Sequence, residues 1–220
     1  MSLQMRLTGG TDRGRRLFVP RGARTRPTAS KVREAIFNIL GPPPGAVLDL
    51  YAGTGSLGLE ALSRGAPAAV FVEREPAALA ALRRNLRETG LDEKATVLGS
   101  DVRTALRRLV TGGQKFSWVF LDPPYADTAD RTENLYREDS NGVAHAVCEW
   151  CIRHGGDERL RIALCGYDGE HRMPADWTCV AWKAHGGYAM QAEGQDSQAN
   201  VNCFRERVWF SPHCLKPERR

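Results

Sequence analysis

Val47–Gly58 reads VLDLYAGTGSLG. A four-residue apolar run with one acid inside it is followed by a glycine-rich turn and a helix-prone run. Gly53, Gly55 and Gly58 form G-x-G-x-x-G at a strand-to-helix junction, and Glu73 stands twenty positions after Gly53. Outward from this turn the pattern alternates. SLGLEALSRG is a helix closed by Gly65, and AAVFVE a strand. PAALAALRRNLRETG is a helix between Pro76 and Gly90. ATVL is a strand, DVRTALRRLV a helix and SWVFL a strand. Short apolar strands alternating with amphipathic helices predict an α/β fold with a mostly parallel, doubly wound, Rossmann-like sheet. Further on, a helix is expected near 142–154, with strands at LRIALC, CVAWKA and RERVWF. A loop is expected over GGYAMQAEGQDSQANVNC.

Alone, the glycine pattern with Glu73 is the dinucleotide fingerprint. Asp49 argues otherwise, because a pyrophosphate at the helix N-terminus is repelled by a carboxylate beside it. A cofactor with a cationic centre and an ammonium group fits better, and S-adenosylmethionine has both and no phosphate. On this expectation Asp49 faces its amino-acid end. Gly53 and Gly55 let the backbone approach it closely. Glu73 accepts from the ribose hydroxyls, and Asp101 reaches the adenine amine.

The last strand of the alternating series runs into Leu121–Tyr125, LDPPY. Two prolines stiffen the chain and remove its donors. An exocyclic amine of a base is a poor nucleophile, since its lone pair is delocalised into the ring. Acceptors that take both N–H groups draw it toward a tetrahedral shape. The Asp122 carboxylate and the Pro123 carbonyl are two such acceptors, Pro124 fixes their direction, and Tyr125 stacks on the extruded base. No metal is expected.

The chain has 220 residues, 42% hydrophobic and 26% charged, which suits one domain with a full core. MSLQMRLTGGTDRGRRL has no apolar h-region and no stretch is long enough to span a membrane, so the cytoplasm is the expected location. A monomer is expected. Six cysteines, Cys148, Cys151, Cys165, Cys179, Cys203 and Cys214, are expected as reduced thiols. Cys148 and Cys151 lack a second ligand pair at zinc spacing and are expected in the core or at the surface.

The net charge is +5, and residues 1–40 hold nine cations against Asp12 and Glu34, or +7, which leaves about −2 for the other 180. MRLTGGTDRGRRLFV reads as a β-hairpin. Residues 1–27 are therefore expected as a basic hairpin and arm on a methyltransferase domain spanning 28–220. Such asymmetry suggests a polyanionic partner. A helix is expected over TASKVREAIFNIL, stopped by GPPPG.

The hairpin opening, TRPTASKVREAIFNIL, VLDLYAGTGSLGLEALSRGA, FVER and LDPPY together resemble the bacterial small-subunit ribosomal RNA guanine-N2 methyltransferase family over about residues 5–125. The resemblance implies S-adenosylmethionine use and transfer to a guanine 2-amino group. It places Thr25, Arg26, Pro27, Thr28, Asp49, Tyr51, Gly53, Gly55, Glu73, Asp101 and Val102 at cofactor positions. Asp122, Pro123, Pro124 and Tyr125 fall at the catalytic ones. Arg6, Arg13, Arg15, Arg16, Arg24 and Arg131 are the expected nucleic-acid contacts. Residues 119–215, with LDPPYADTADRTENLY, RIALCGYDGEH, PADWTCVAWKAHGGY and RERVWFSPHCL, instead resemble phage-type DNA adenine-N6 methyltransferases. The chain reads as a mosaic joined at LDPPY, with residues 126–141 as a lid over the base. Enzymes of the DNA class usually carry a recognition insertion before DPPY. Here Gly53 and Asp122 are 69 positions apart, all taken up by strands and helices. Ribosomal RNA, or the small subunit itself, is thus the expected partner. DNA adenine is the alternative, and a non-catalytic nucleic-acid-binding protein the lesser one.

Overall fold

The computed structural model describes residues 5–20, 30–122, 137–181 and 206–214. Arg24, Thr25, Arg26, Pro27, Thr28, Pro123, Pro124, Tyr125, Arg131 and Cys203 lie outside them, as do residues 126–136 of the expected lid and the whole of the loop expected over 186–203.

The expected hairpin forms. Strand β1 (Met5–Arg6) pairs antiparallel with β2 (Arg16–Leu17), with Met5 opposite Leu17 and Arg6 opposite Arg16. Alternation puts Met5, Leu7 and Leu17 into the core and leaves Arg6 and Arg16 exposed. Helix α1 (Ser30–Leu40) buries Val32, Ile36, Phe37, Ile39 and Leu40, and ends at Gly41 (φ 75°) before three prolines.

The alternating series follows: β3 (Val47–Leu50), α2 (Ser56–Ser63), β4 (Ala69–Glu73), α3 (Pro76–Thr89), β5 (Ala95–Gly99), α4 (Val102–Thr111) and β6 (Trp118–Leu121). Each junction has a local cause. Glu75 caps α3 by accepting from the Ala77 and Ala78 N–H groups, Pro76 takes the first helical position, and left-handed Gly90 ends it. Then come α5 (Arg137–His154), β7 (Arg161–Tyr167), β8 (Thr178–Ala181) and β9 (Glu206–Phe210). Helix α5 begins five residues before the expected 142, so residues 137–141 belong to it and not to a lid loop.

The seven-stranded sheet has the order β5-β4-β3-β6-β7-β9-β8. Its first five strands are parallel; β9 lies between β7 and β8, antiparallel to both. Strand order reverses at β3, between β4 and β6, which is where ligands bind in open α/β sheets.

Two apolar layers cover the sheet. One joins the hairpin, α1 and α2 to Phe71, Trp118 and Phe120, with the Phe37 ring 5.7 Å from Trp118 and 5.5 Å from Phe120. The other joins α4 and α5 to Leu48, Leu50, Ile162, Trp177 and Trp209. All eight residues of α2 are buried, because the hairpin and α1 close over its outer side. Its polar residues are therefore partnered. Glu60 accepts from the Thr8 N–H (2.8 Å) and Thr8 Oγ1 (2.7 Å), and pairs with Arg64 Nε (2.9 Å) and Arg33 Nε (3.7 Å). Ser63 Oγ donates to Gly9 O and accepts from the Asp12 N–H. The contact is so close that a Cβ on Gly10 would sit 1.9 Å from Ser63 O.

Arg33 corrects the charge reading. It was counted with the basic arm, yet it is fully buried against Glu60. Among the cysteines, Cys148, Cys151, Cys165 and Cys214 are buried and Cys179 is exposed; all five are free thiols.

Candidate active site

The reversal point brings three carboxylates to one sheet edge. Leu50 of β3 lies opposite Val72 of β4 and Leu121 of β6. Glu73 and Asp122 thus come one residue past that level and Asp49 one before it, on neighbouring strands about 4.8 Å apart. Asp49 is 1% exposed and its Oδ2 accepts from the Gly58 N–H at 2.9 Å. Burial pushes its carboxyl from an ordinary 3.8 up to about 8. The Gly58 bond opposes this, and the Asp122 and Glu73 charges add to it.

The glycines do separate work. Gly53 has φ 56°, and among the described residues, its chain neighbours aside, no atom lies within 4 Å of where a Cβ would stand. Its N–H donates to Glu73 Oε2 at 2.8 Å. Gly55 (φ 88°) is tight against the protein's own α3, since a Cβ would meet Leu82 Cδ1 at 2.4 Å. A Cβ on Gly58 would meet the Phe71 ring at 2.2 Å. Close approach at Gly55 is thus to Leu82, which sequence alone did not distinguish from approach to a ligand. Tyr51 has φ 63° and is the one non-glycine residue with positive φ among the described residues. Burial pushes its phenol up to about 12, against the Arg103 and Arg74 charges and with that of Asp101.

Glu73 Oε1 also accepts the Arg74 and Glu75 N–H groups, both at 2.8 Å. Three backbone donors hold this carboxylate in place and leave about one of its four acceptor directions for a ligand. Asp101 is exposed and caps α4, its Oδ1 accepting from the Thr104 N–H at 2.9 Å; hydrogen bonding from the Thr104 side chain, and then from its N–H, holds the carboxyl below the ordinary range. Val102 follows as the first residue of α4, half-buried against the second apolar layer. An acid just before a helix is a capping signal as well as a ligand signal.

The hairpin lies elsewhere. Its turn meets Ser63 and Arg64, at the end of α2 remote from the glycine turn, about 12 Å along the helix axis. Arg6, Arg13, Arg15 and Arg16 are exposed there. Arg15 pairs with Asp12 at 3.1 Å and donates to Glu88 O, and Arg6 donates to Gly14 O. From this far edge the chain climbs α3 toward the site. At Phe18 it meets a residue the sequence reading passed over. Asn85 is 1% exposed on the apolar face of α3. Its Oδ1 accepts from the Phe18 N–H at 2.6 Å, and its Nδ2 donates to Phe18 O and to Thr54 O, both at 3.0 Å. An asparagine at a core-facing position was the available signal, because a buried amide requires partners.

A doubly wound sheet with three carboxylates and a glycine turn at its reversal point fits the class of S-adenosylmethionine-dependent methyltransferases, and the comparisons with known proteins place the chain in it. More distant methyltransferases of this fold have been solved with S-adenosylhomocysteine or S-adenosylmethionine bound. The chain belongs to the family described as Conserved hypothetical protein 95, which matches residues 5–142. It is 35% identical over 199 residues to Ribosomal RNA small subunit methyltransferase D of Escherichia coli (strain K12), covering 89% of this chain and 92% of that one. YlbH of Bacillus subtilis (strain 168), named provisionally as an rRNA methyltransferase, is 42% identical over 125 residues, 56% of this chain and 68% of its own. The solved structure of a hypothetical protein of Thermus thermophilus superposes with TM-score 0.62 at 26% identity, covering 94% of this chain and 98% of the other. The 199-residue match carries the RNA-family likeness past residue 125, where the mosaic reading ended it.

The residues present fit the cofactor. The side of Gly53 away from Glu73 is clear of other described side chains, and one strand position before the turn stands the buried Asp49 carboxyl, whose pKa burial raises. When bound, S-adenosylmethionine supplies an electrophilic methyl group; Asp49 and Glu73 could hold its charged and hydroxyl-bearing parts. Binding a cation there favours ionised Asp49. At pH 7 cofactor binding should therefore release close to one proton, and affinity should rise as pH climbs toward 8. Calorimetry in two buffers of different ionisation enthalpy reads this release, and Asp49→Asn should abolish it. The linkage sign without cofactor is opposite. Because Asp49 is raised in the folded state, that state binds the extra proton between about 4 and 8, and the stability it contributes is lost as pH rises through that window.

Among the described residues, no helix is long and apolar enough to cross a membrane, and no group of three or more His, Cys, Asp or Glu side chains is placed to hold a metal ion.

Proposed function

We propose that this chain methylates the exocyclic 2-amino group of a guanine in small-subunit ribosomal RNA, in the cytoplasm. The observation that carries the reading is the match to Ribosomal RNA small subunit methyltransferase D, which runs across 92% of that protein. The geometry at the edge of β6 supports it. Asp122 leaves the strand beside the carboxylate pair, half-buried, and its charge acts on Asp49.

In this reaction Asp122 and the Pro123 carbonyl accept the two amino N–H groups, and the nitrogen lone pair is freed toward the methyl donor. Asp122 need not be a strong base, since the amine proton becomes acidic once the methyl group has arrived. Tyr125 stacks on the base. Asp49, Tyr51, Gly53, Gly55, Glu73, Asp101 and Val102, with Thr25 to Thr28, form the cofactor side. The exposed arginines of the hairpin bind phosphates away from the target base.

Incubation with labelled S-adenosylmethionine and either undermethylated small subunits or duplex DNA tests the choice of nucleic acid. Label in the subunit RNA is expected. Label in DNA alone would favour the resemblance of residues 119–215 to the DNA adenine enzymes and overturn the reading. For the hairpin, Arg13→Glu with Arg16→Glu should weaken RNA binding and flatten the slope of log affinity against log salt by roughly one to two units. An unchanged slope would remove these arginines from the RNA contact.

A further inference from the structure

Asn85 joins two parts of the molecule that the chemistry uses separately. On one side it holds both backbone polar groups of Phe18, where the chain leaves the hairpin. On the other it holds the carbonyl of Thr54, the residue between Gly53 and Gly55. Thr54 is itself buried, and Leu82, one turn earlier on α3, fills the space a side chain on Gly55 would need. The glycine turn therefore rests on α3 through one apolar and one polar contact. The polar one fixes the direction of a peptide group inside the turn.

We propose that Asn85 is a positioning residue for the cofactor site, setting the Gly53–Gly55 backbone in its binding conformation and bracing it against the hairpin exit. Gly53 shows why such a brace matters. Its positive φ and its N–H bond to Glu73 hold only while the neighbouring peptide stays in place, and glycine by itself resists reorientation weakly. With the amide gone, the turn samples other conformations, and the cofactor must order it on binding. The effect belongs to affinity and not to the chemical step, because Asn85 is remote in sequence and sheet position from Asp122.

The test is calorimetric titration of the full chain with S-adenosylhomocysteine, together with turnover at saturating methyl donor. Asn85→Ala should raise Kd about tenfold, the consequence of one lost buried hydrogen-bonding group. The maximal rate should stay within about threefold of the parent. Asn85→Asp preserves side-chain size and the acceptor for the Phe18 N–H but turns a carboxylate oxygen toward both Thr54 O and Phe18 O. It should weaken binding at least as much while keeping one of the two bonds at the hairpin exit. Thr89→Ala is the control for destabilisation alone: Thr89 is buried on the same helix and, among the described residues, its hydroxyl donates to the Asn85 and Leu86 carbonyls and to nothing in the glycine turn. Its Kd should match the parent. The proposal fails if Asn85→Ala and Asn85→Asp bind as tightly as the parent, or if Thr89→Ala loses affinity equally. It rests on S-adenosylmethionine dependence, and failure of the parent chain to bind S-adenosylhomocysteine would overturn that reading separately.

Discussion

Asp122→Ala is expected to lower methyl transfer by about a thousandfold or more, the upper range for removing one placed hydrogen-bonding group from a reacting centre. Cofactor affinity should stay within about threefold, because the Glu73 bonds and the Gly58 bond to Asp49 do not depend on Asp122. Asp122→Asn should fall between, since an amide keeps one acceptor and adds a donor where the amine also donates. Single-turnover rates and cofactor titrations on the same preparations separate the two effects. Transfer near the parent rate in Asp122→Ala would mean that the carboxylate does not engage the amine.

The second large effect is on stability. Glu60 is fully buried and takes bonds from Thr8, Arg64 and Arg33 at the seam of the hairpin, α1 and α2. Burial pushes the Arg33 guanidinium pKa down, and the Glu60 charge opposes that shift. Glu60→Ala would leave the buried Arg33 guanidinium without its carboxylate, bonded still to Arg6 O and Ser30 Oγ, and would remove both Thr8 bonds, at a cost of about 3–5 kcal/mol. In a chain of this length that lowers Tm by roughly 6–20 °C. The double variant Glu60→Leu with Arg33→Met should recover much of the loss, because an apolar pair of similar volume needs no charge compensation. Thermal melts of the single and double variants measure the coupling. Additive losses would show that the pair does not act as a unit.

Local chemistry made much of this legible in the sequence. Val47–Gly58 and the alternating segments after it carry their own signals, with periodicity, capping residues and left-handed glycines at the junctions, and the elements formed where these pointed. Asp49 was recognisable because an acid inside an apolar strand demands a reason. The features that escaped depend on residues distant in the chain. The insertion of β9 between β7 and β8 rests on pairings such as Leu164 with Trp209 and Cys179 with Trp209, which no local pattern encodes. Arg33 looked like part of a basic arm, although its spacing from Ile36 and Phe37 put it on the buried face of α1. Asp101 offered two signals, cap and ligand, and the capping one was overlooked. Asn85 broke an otherwise apolar stripe at Ala78, Ala81, Leu82 and Leu86, and only the folded chain shows that its partners are Phe18 and Thr54.

The most direct measurement of the whole account is the identity of the methylated base. RNA from undermethylated small subunits, labelled by this protein and digested to nucleosides, should carry its label as N2-methylguanine, and Asp122→Ala should leave it unlabelled. Label recovered only as N6-methyladenine, or none from a parent protein that binds S-adenosylhomocysteine, would contradict the account.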